Sequence, residues 1–379
     1  MIPCPDPTAE DSERSRHQDR GQYLARQDRW GDLADEIRAA DTNRLVTPGG
    51  MPVADLLSYG ARADVVLAVE HALYDGSPAH GAPLLQGIEA LEGVLAEFPD
   101  DYAIAVLVAQ AHMDIGWFWR GTGWDHETPA RNLEAFQAHF DRAVDILDVY
   151  AEADLDAPIL AAARCSLLCG RRDAGARIAN DYERLINLNP LNPGPMRAMG
   201  NYLLPRWFGS YDQLELEARR TAARTQAVWG AGAYTWVMFD AITVDESACA
   251  HLDLEFFIEG LRDILERAPH QHTVNLLAAY CANSHGQTFT GNDAADHIRA
   301  QIADCADWIV REHLVELHPM IWAHAAAGFD NNLAIRFPRR FAAAGQADAL
   351  RFIARLFRRE IAQGKRITFT ANGPVADTG

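Results

Sequence analysis

Apolar residues recur at intervals of three and four along most of the chain, the spacing that places them on one face of an α-helix. The clearest segments are residues 53–73, 84–98, 138–150, 159–168, 214–228, 256–265, 298–310 and 350–361. The best strand candidate is the short segment 366–370 (RITFT), which a Gly- and Pro-containing tail follows. The pattern therefore predicts an all-α protein with a loose C-terminal tail.

Two segments that lie 170 residues apart resemble each other. Residues 91–116 and 261–286 align without gaps and are identical at six positions, including Pro99/Pro269 and Gly116/Gly286. A third, weaker copy begins at Tyr182. In each copy we expect a helix to end at the Pro, and in the two clearer copies a second helix to end at the Gly. Such helix pairs bury their apolar faces only against neighbouring pairs. Because the Pro spacing is irregular, we predict a tetratricopeptide-like α-α superhelix with degenerate repeats.

This pattern predicts a division of the chain into four segments. Residues 1–52 form an N-terminal helical segment and a Gly/Pro linker, and residues 53–330 form the tetratricopeptide-like repeat domain. Residues 331–366 form basic C-terminal capping helices, and residues 367–379 form a flexible tail.

Two stretches resemble a family of uncharacterised bacterial helical-repeat proteins. They are residues 111–125 (AHMDIGWFWRGTGWD) and 204–211 (LPRWFGSY), which are similar to the family's A-W-x-A-R-G-like helix end and L-x-P-R-W-G-G-S turn. The resemblance covers about residues 84–241, and it implies a tetratricopeptide-like fold with no established activity. Phe208 replaces the first Gly of the turn and resists the positive φ that Gly adopts, which leaves the turn geometry open.

The composition narrows the class of protein. Hydrophobic residues make up 49% of the chain, which is enough apolar material for a packed core. The formal charge of −19 would repel nucleic acid, and no run of apolar residues is long enough to span a bilayer. The six cysteines are too sparse for a disulfide framework, and the N-terminus lacks the pattern of a secretory signal. We expect a cytoplasmic protein that binds neither nucleic acid nor membranes.

The charge is unevenly spread. Residues 331–366 contain nine basic and two acidic residues, a net charge of +7. Within residues 350–361, apolar side chains occupy one helical face and the side chains of Arg351, Arg355, Arg358 and Arg359 another. Three interpretations stay open: a helix that docks on an acidic surface of the same chain or of a second copy, a terminal capping helix, or a helix that lies on a membrane surface. The first includes a homo-oligomer that forms through this basic helix.

Tryptophan is concentrated in one region, since six of the nine lie between residues 117 and 236. Trp is enriched at recognition surfaces because it offers a large contact area. One interpretation is a groove for a protein or peptide segment, lined by Trp117, Trp119, Arg120, Trp124, Arg206, Trp207 and Tyr211. The other is that these aromatic residues only pack between irregular helix pairs.

The usual catalytic and metal-binding motifs are missing from the sequence. There is no GxSxG or GxxxxGK[ST] motif, and His313 and His318 do not have the i, i+4 spacing of a helical zinc site. His112 and Asp114 lie two residues apart, so on a helix their side chains do not converge. We therefore predict no catalytic residue, metal or cofactor, and favour a non-enzymatic scaffold. An all-α enzyme or small-ligand binder, with a pocket among the same aromatics, is the alternative.

Overall fold

The computed structural model describes residues 1–123, 126–151, 155–171, 173–285, 291–329 and 335–378. The chain divides into two compact units. The first unit is residues 11–195, and the second unit combines residues 1–10 with residues 196–379. The boundary falls inside the segment 53–330, which the sequence analysis assigns to one repeat domain.

Helices α1 to α8 build the first unit. They are α1 (Ala9–Arg26), α2 (Trp30–Thr42), α3 (Val53–Ala72), α4 (Gln86–Glu97), α5 (Tyr102–Arg120), α6 (Ala130–Asp148), α7 (Pro158–Ser166) and α8 (Ala174–Leu188), with a 3-10 turn at Leu167–Gly170. Helix α5 is central and contacts α2, α3, α4, α6 and α7. Its residues 103–109 are all fully or almost fully buried, as expected for a helix that is apolar on every side.

The remaining elements build the second unit. Its helices are α9 (Gly194–Tyr202), α10 (Tyr211–Arg224), α11 (Gln226–Trp229), α12 (Gly232–Val244), α13 (Glu246–Ala250), α14 (Leu254–Arg267), α15 (Gln271–Ala279), α16 (Asp293–Glu312), α17 (Pro319–Ala326), α18 (Pro338–Leu356) and α19 (Arg358–Ala362). A π-helix spans Tyr280–His285, between α15 and α16. Two strands follow α19, β1 (Lys365–Thr370) and β2 (Gly373–Thr378). The all-α prediction is confirmed at this level. The tetratricopeptide-like superhelix stays a prediction.

The C-terminal tail is more ordered than the sequence suggests. Strands β1 and β2 pair as an antiparallel hairpin, with Ile367 opposite Ala376. The amide of Phe369 also donates a hydrogen bond to the carbonyl of Met1 at 2.8 Å. Residues 373–378 are therefore a strand, which corrects the prediction of a flexible tail. The sequence GPVADT lacks apolar alternation, so its backbone pairing leaves no trace in the pattern.

The predicted helix over residues 350–361 is broken at Phe357, between α18 and α19. Phe357 is buried, and its ring meets the ring of Phe369 on β1 edge-on at 6.2 Å. The Arg311 guanidinium lies 4.4 Å from the centre of the Phe357 ring. These contacts hold Phe357 in the core at the point where the chain turns toward the hairpin.

Glycines allow α1 and α3 to cross at close range. A Cβ atom on Gly21 of α1 would lie 2.0 Å from the Leu57 carbonyl oxygen of α3. A Cβ atom on Gly60 of α3 would lie 1.9 Å from the Gln18 carbonyl oxygen of α1. Each helix therefore needs a glycine where the backbone of the other passes.

Both of the similar segments, 91–116 and 261–286, begin as two helices joined by a short turn that contains the Pro. The first contains α4 and α5, and the second contains α14 and α15. The prediction that Gly116 ends its helix is wrong, because α5 continues to Arg120 and ends at Gly121, which has a φ of 67°. Gly116 instead makes room for α6, since a Cβ atom there would lie 3.1 Å from Cδ2 of Phe140. Gly286 lies outside the described residues.

Candidate functional site

A cleft of about 180 Å³ lies between α3 and α5 in the first unit. Helix α3 contributes residues spaced along one face, and α5 contributes Asp114 and, one turn later, Trp117 and Phe118. The lining residues are Tyr59, Arg62, Ala63, Val66, Leu67, Glu70, Asp114, Trp117 and Phe118. The cleft thus combines aromatic, aliphatic and charged side chains.

Arg62 and Asp114 of the cleft are bonded to each other, and Arg62 is also bonded to neighbouring polar side chains. Nε of Arg62 donates to Oδ2 of Asp114 at 2.7 Å, and Nη1 donates to Oε1 of Gln110 at 3.0 Å. Ser58 donates from Oγ to the same Gln110 oxygen at 2.8 Å. Arg62 is only 8% exposed, so this network fixes its guanidinium. The Arg62–Asp114 pair therefore helps to hold α3 against α5.

Large apolar side chains surround this network and remain exposed. Tyr59 is 47% exposed, Leu67 41% and Trp117 37%. The Trp117 indole packs against the rings of Phe136 and Phe140 at 5.2 and 5.9 Å, so α6 supports it. Tyr59, Leu67 and Trp117 thus form an exposed, largely apolar patch around the cleft.

The other residues that the sequence predicts for the groove in this unit have different surroundings. Arg120 places its guanidinium 5.6 Å from the Trp117 ring and donates to the carbonyls of Gly121 and Gly123, so it completes the end of α5. The Trp119 ring lies 5.7 Å from the Arg131 guanidinium, and Trp119 packs against the core. Trp124 lies outside the described residues.

Arg206, Trp207 and Tyr211 belong to the second unit. Arg206 is exposed, and Trp207, 45% exposed, packs against Tyr202 at 6.1 Å. Tyr211 donates from its hydroxyl to Asp245 at 3.2 Å and stacks on His251 at 5.5 Å. The six predicted residues that the structure describes are thus divided between two units, and of these six Trp117 lines the α3–α5 cleft.

The turn that contains Trp207 does not use a left-handed residue at Phe208. Among the described residues, the non-glycine positions with positive φ are Asp28, Arg44 and Phe329. Gly209 is required for space, since a Cβ atom there would lie 2.3 Å from the Leu203 carbonyl oxygen. Ser210 then caps α10 by accepting a hydrogen bond from the Gln213 amide. The replacement of the first motif Gly by Phe208 is therefore compatible with this turn.

Sequence reasoning missed Tyr59, Arg62 and Leu67, which supply the α3 side of the cleft. Their spacing places them on a common side of α3, and a Tyr and a Leu on a partly polar face were a usable signal. The pairing of Arg62 with Asp114 was not readable, because the two residues lie on different helices.

A chain of hydrogen bonds also joins α4, α5 and α6. Nε and Nη2 of Arg142 donate to the two carboxylate oxygens of Glu92, each at 2.7 Å. Glu92 contacts Nε2 of His112 at 2.9 Å, and Nδ1 of His112 lies 2.9 Å from Nδ1 of His139. With Glu92 ionised, His112 donates to it from Nε2 and accepts from His139.

The electrostatics of this chain follow from burial and charge. Burial lowers the pKa of His112, and it lowers that of His139 to about 4. The Arg142 guanidinium lowers the pKa of Glu92. The prediction that His112 and Asp114 do not converge is confirmed, because His112 bonds to Glu92 and His139 while Asp114 pairs with Arg62.

Within the described ranges, no group of three or more His, Cys, Asp or Glu side chains is placed to hold a metal ion. None of the helices in those ranges combines the length and apolar character needed to cross a bilayer. No protein-family model, curated protein or solved structure matches this chain. The resemblance to the bacterial helical-repeat family therefore stays a prediction.

Proposed function

We propose that this protein is a non-enzymatic helical scaffold that binds a protein or peptide segment at the cleft between α3 and α5. The observation that carries the proposal is the exposure of Tyr59, Leu67 and Trp117 around one cleft. A bound segment that inserts an apolar side chain would cover these three residues and gain the free energy of removing them from water.

The state of the polar groups favours binding over catalysis. Arg62 and Asp114 at the cleft are paired with each other, so neither is poised to exchange a proton with a substrate. The alternative, an enzyme or small-ligand binder with a pocket among the same aromatics, would need a general base, and neither His112 nor His139 lines the cleft. A histidine whose pKa is about 4 is a weak base at neutral pH, so His139 is poorly suited to that role.

The proposal predicts that one residue dominates binding. Peptides selected from a random library on the purified protein should bind the Trp117→Ala variant about tenfold or more weakly, because buried Trp anchors carry much of the energy of an interface. Fluorescence anisotropy of the labelled peptides measures this loss. Leu67→Ser should also weaken binding. Because Leu67 is exposed, this substitution should leave the fold intact.

Tyr23→Ala is the matched control, because Tyr23 is 52% exposed in the same unit and does not line the cleft. It should bind the peptides as the unaltered protein does. Trp207→Ala tests in the same assay whether the predicted groove residues of the second unit contribute. The proposal would be contradicted if the selected peptides bound both Trp117→Ala and Leu67→Ser with unchanged affinity, in variants shown by circular dichroism to be folded.

A further inference from the structure

The basic segment 331–366 exposes an aromatic side chain at the start of α18. Phe337 is 68% exposed, more than any other phenylalanine in the described ranges. Its neighbours along the chain, Arg336, Pro338, Arg339 and Arg340, are exposed as well. A large apolar side chain gains free energy when it leaves water, so an exposed ring among arginines has the features of an anchor for another surface.

The backbone around Phe337 is held in place before any contact forms. Phe337 precedes the first turn of α18, and its carbonyl accepts a hydrogen bond from the Phe341 amide at 3.0 Å. The ring of Pro338 fixes the backbone φ at the next position. Helix α18 packs closely on α17, since a Cβ atom on Gly345 would lie 2.2 Å from the Pro319 carbonyl oxygen. The anchor is therefore already ordered, which lowers the entropy cost of binding.

The cleft between α3 and α5 has room for a phenyl ring. An apolar cavity of about 150 Å³ holds benzene, and the cleft measures about 180 Å³. The aromatic rings of Tyr59, Trp117 and Phe118 line it, together with the aliphatic side chains of Val66 and Leu67. Pairs of aromatic rings gain stability beyond the area that they bury, so a phenyl ring matches this lining.

The charges of the two surfaces are opposite. Residues 11–195, which contain the cleft, have 30 acidic and 16 basic residues, a net charge of −14, whereas the basic segment carries +7. Among the lining residues, Glu70 is exposed, and Asp114 keeps 33% of its side chain exposed although it pairs with Arg62. Arginine binds carboxylates through charge-assisted hydrogen bonds, so the arginines that flank Phe337 suit this acidic unit.

We propose that Phe337 of one copy inserts into the α3–α5 cleft of a second copy, while Arg336, Arg339 and Arg340 face the acidic first unit of that copy. The inference rests on the proposed function of the cleft and names a second copy of this chain as the partner. Both surfaces are exposed, so each is accessible to another copy. Because the anchor and the cleft are different surfaces, the contact is heterologous, and a variant that lacks one surface still offers the other.

Sedimentation velocity of the full chain at low salt tests the contact. We expect the unaltered chain to associate as its concentration rises. Phe337→Ala and Trp117→Ala should each weaken self-association about tenfold or more, because each removes one side of the contact. An equimolar mixture of these two variants should form a 1:1 complex, since Phe337→Ala retains the cleft and Trp117→Ala retains the anchor.

Two further variants control the experiment. Leu67→Ser takes the place of Trp117→Ala if loss of the indole unfolds the first unit, because Leu67 lines the cleft and is 41% exposed. Tyr74→Ala is the matched control, since Tyr74 is 74% exposed and does not line the cleft, and it should leave association unchanged.

Three results would overturn the inference: a monomer at every concentration at low salt, unchanged association of Phe337→Ala, or no complex in the mixture. These results differ from failure of the proposed function. If selected peptides bind the unaltered chain but not Trp117→Ala, while the chain itself is a monomer, the cleft remains a binding site and the second copy is rejected as its partner.

Discussion

His139 shows how the surroundings of one side chain set the response of the protein to pH. It faces His112, which in turn bonds to Glu92, and Arg142 holds that carboxylate ionised. Burial holds the pKa of His139 at about 4 in the folded protein, against about 6.5 in an unfolded chain. The unfolded chain therefore binds a proton more readily than the folded protein between these two values.

We expect the free energy of unfolding to fall as the pH drops from about 6.5 toward 4, and to be fully retained above that window. The contribution of His139 should be about 1 kcal/mol between neutral pH and pH 5, with allowance for its partial exposure. Urea denaturation at the two pH values measures it. His139→Gln should reduce this pH dependence, while His80→Gln, at an exposed histidine, should not. An identical pH profile for His139→Gln would contradict the assignment.

At this scale the sequence carried only part of the candidate site. Trp117 could be predicted because Trp is rare and its indole offers a large contact area. Arg62 could not, because its role depends on Asp114, which is 52 residues away in the chain.

At the scale of single elements, the crossing of α1 and α3 allows a direct comparison of two glycines. Gly60→Ala would press a methyl group against the Gln18 carbonyl, so we expect the free energy of unfolding to fall by about 2–4 kcal/mol. Gly93 lies within α4 with no atom near its Cβ position, so Gly93→Ala should stabilise by about 0.5–1 kcal/mol. Urea denaturation measures both, and effects of the same sign would argue against this crossing.

The elements themselves were largely predictable where burial imposes a helical period. The segment 53–73 matches α3 and the segment 256–265 lies within α14, because each buries one face along its length. The period fails where tertiary contacts override it. The helix is interrupted at Phe357, whose ring packs against Phe369. Strand β2 forms because its backbone pairs with that of β1.

At the scale of the whole molecule, the charge distribution leads to a prediction of self-association. The guanidinium groups of the basic segment 331–366 are largely exposed, among them those of Arg336, Arg339, Arg340, Arg358 and Arg359. The rest of the chain carries an excess of acid, so we expect copies to associate through this segment at low salt. Light scattering should show a mass above that of a monomer at low salt and a monomer at about 1 M salt, where charges are screened beyond about 3 Å.

Paired substitution of Arg339 and Arg340 by Glu should give a monomer at both salt concentrations. Arg206→Glu, at an exposed arginine outside the basic segment, is the control and should associate as before. The prediction would be wrong if the unaltered chain were a monomer at every salt concentration.

Sequence periodicity could not reveal the division into two units, because it reports only on neighbours along the chain. Residues 1–10 belong with residues 196–379, and the hydrogen bonds that join them include those from the Phe369 amide to the Met1 carbonyl and from the Leu317 amide to the Pro3 carbonyl. A contact between such distant residues leaves no local pattern.

This arrangement has a consequence for the order in which the protein is made. A ribosome makes residues 1–10 long before it makes β1, whose Phe369 amide donates to the Met1 carbonyl. Residues 11–195 form a compact unit of their own, so they can fold while the ribosome is still translating the residues that follow. Residues 1–10 can therefore reach their partner strand only after the whole of the first unit has been made.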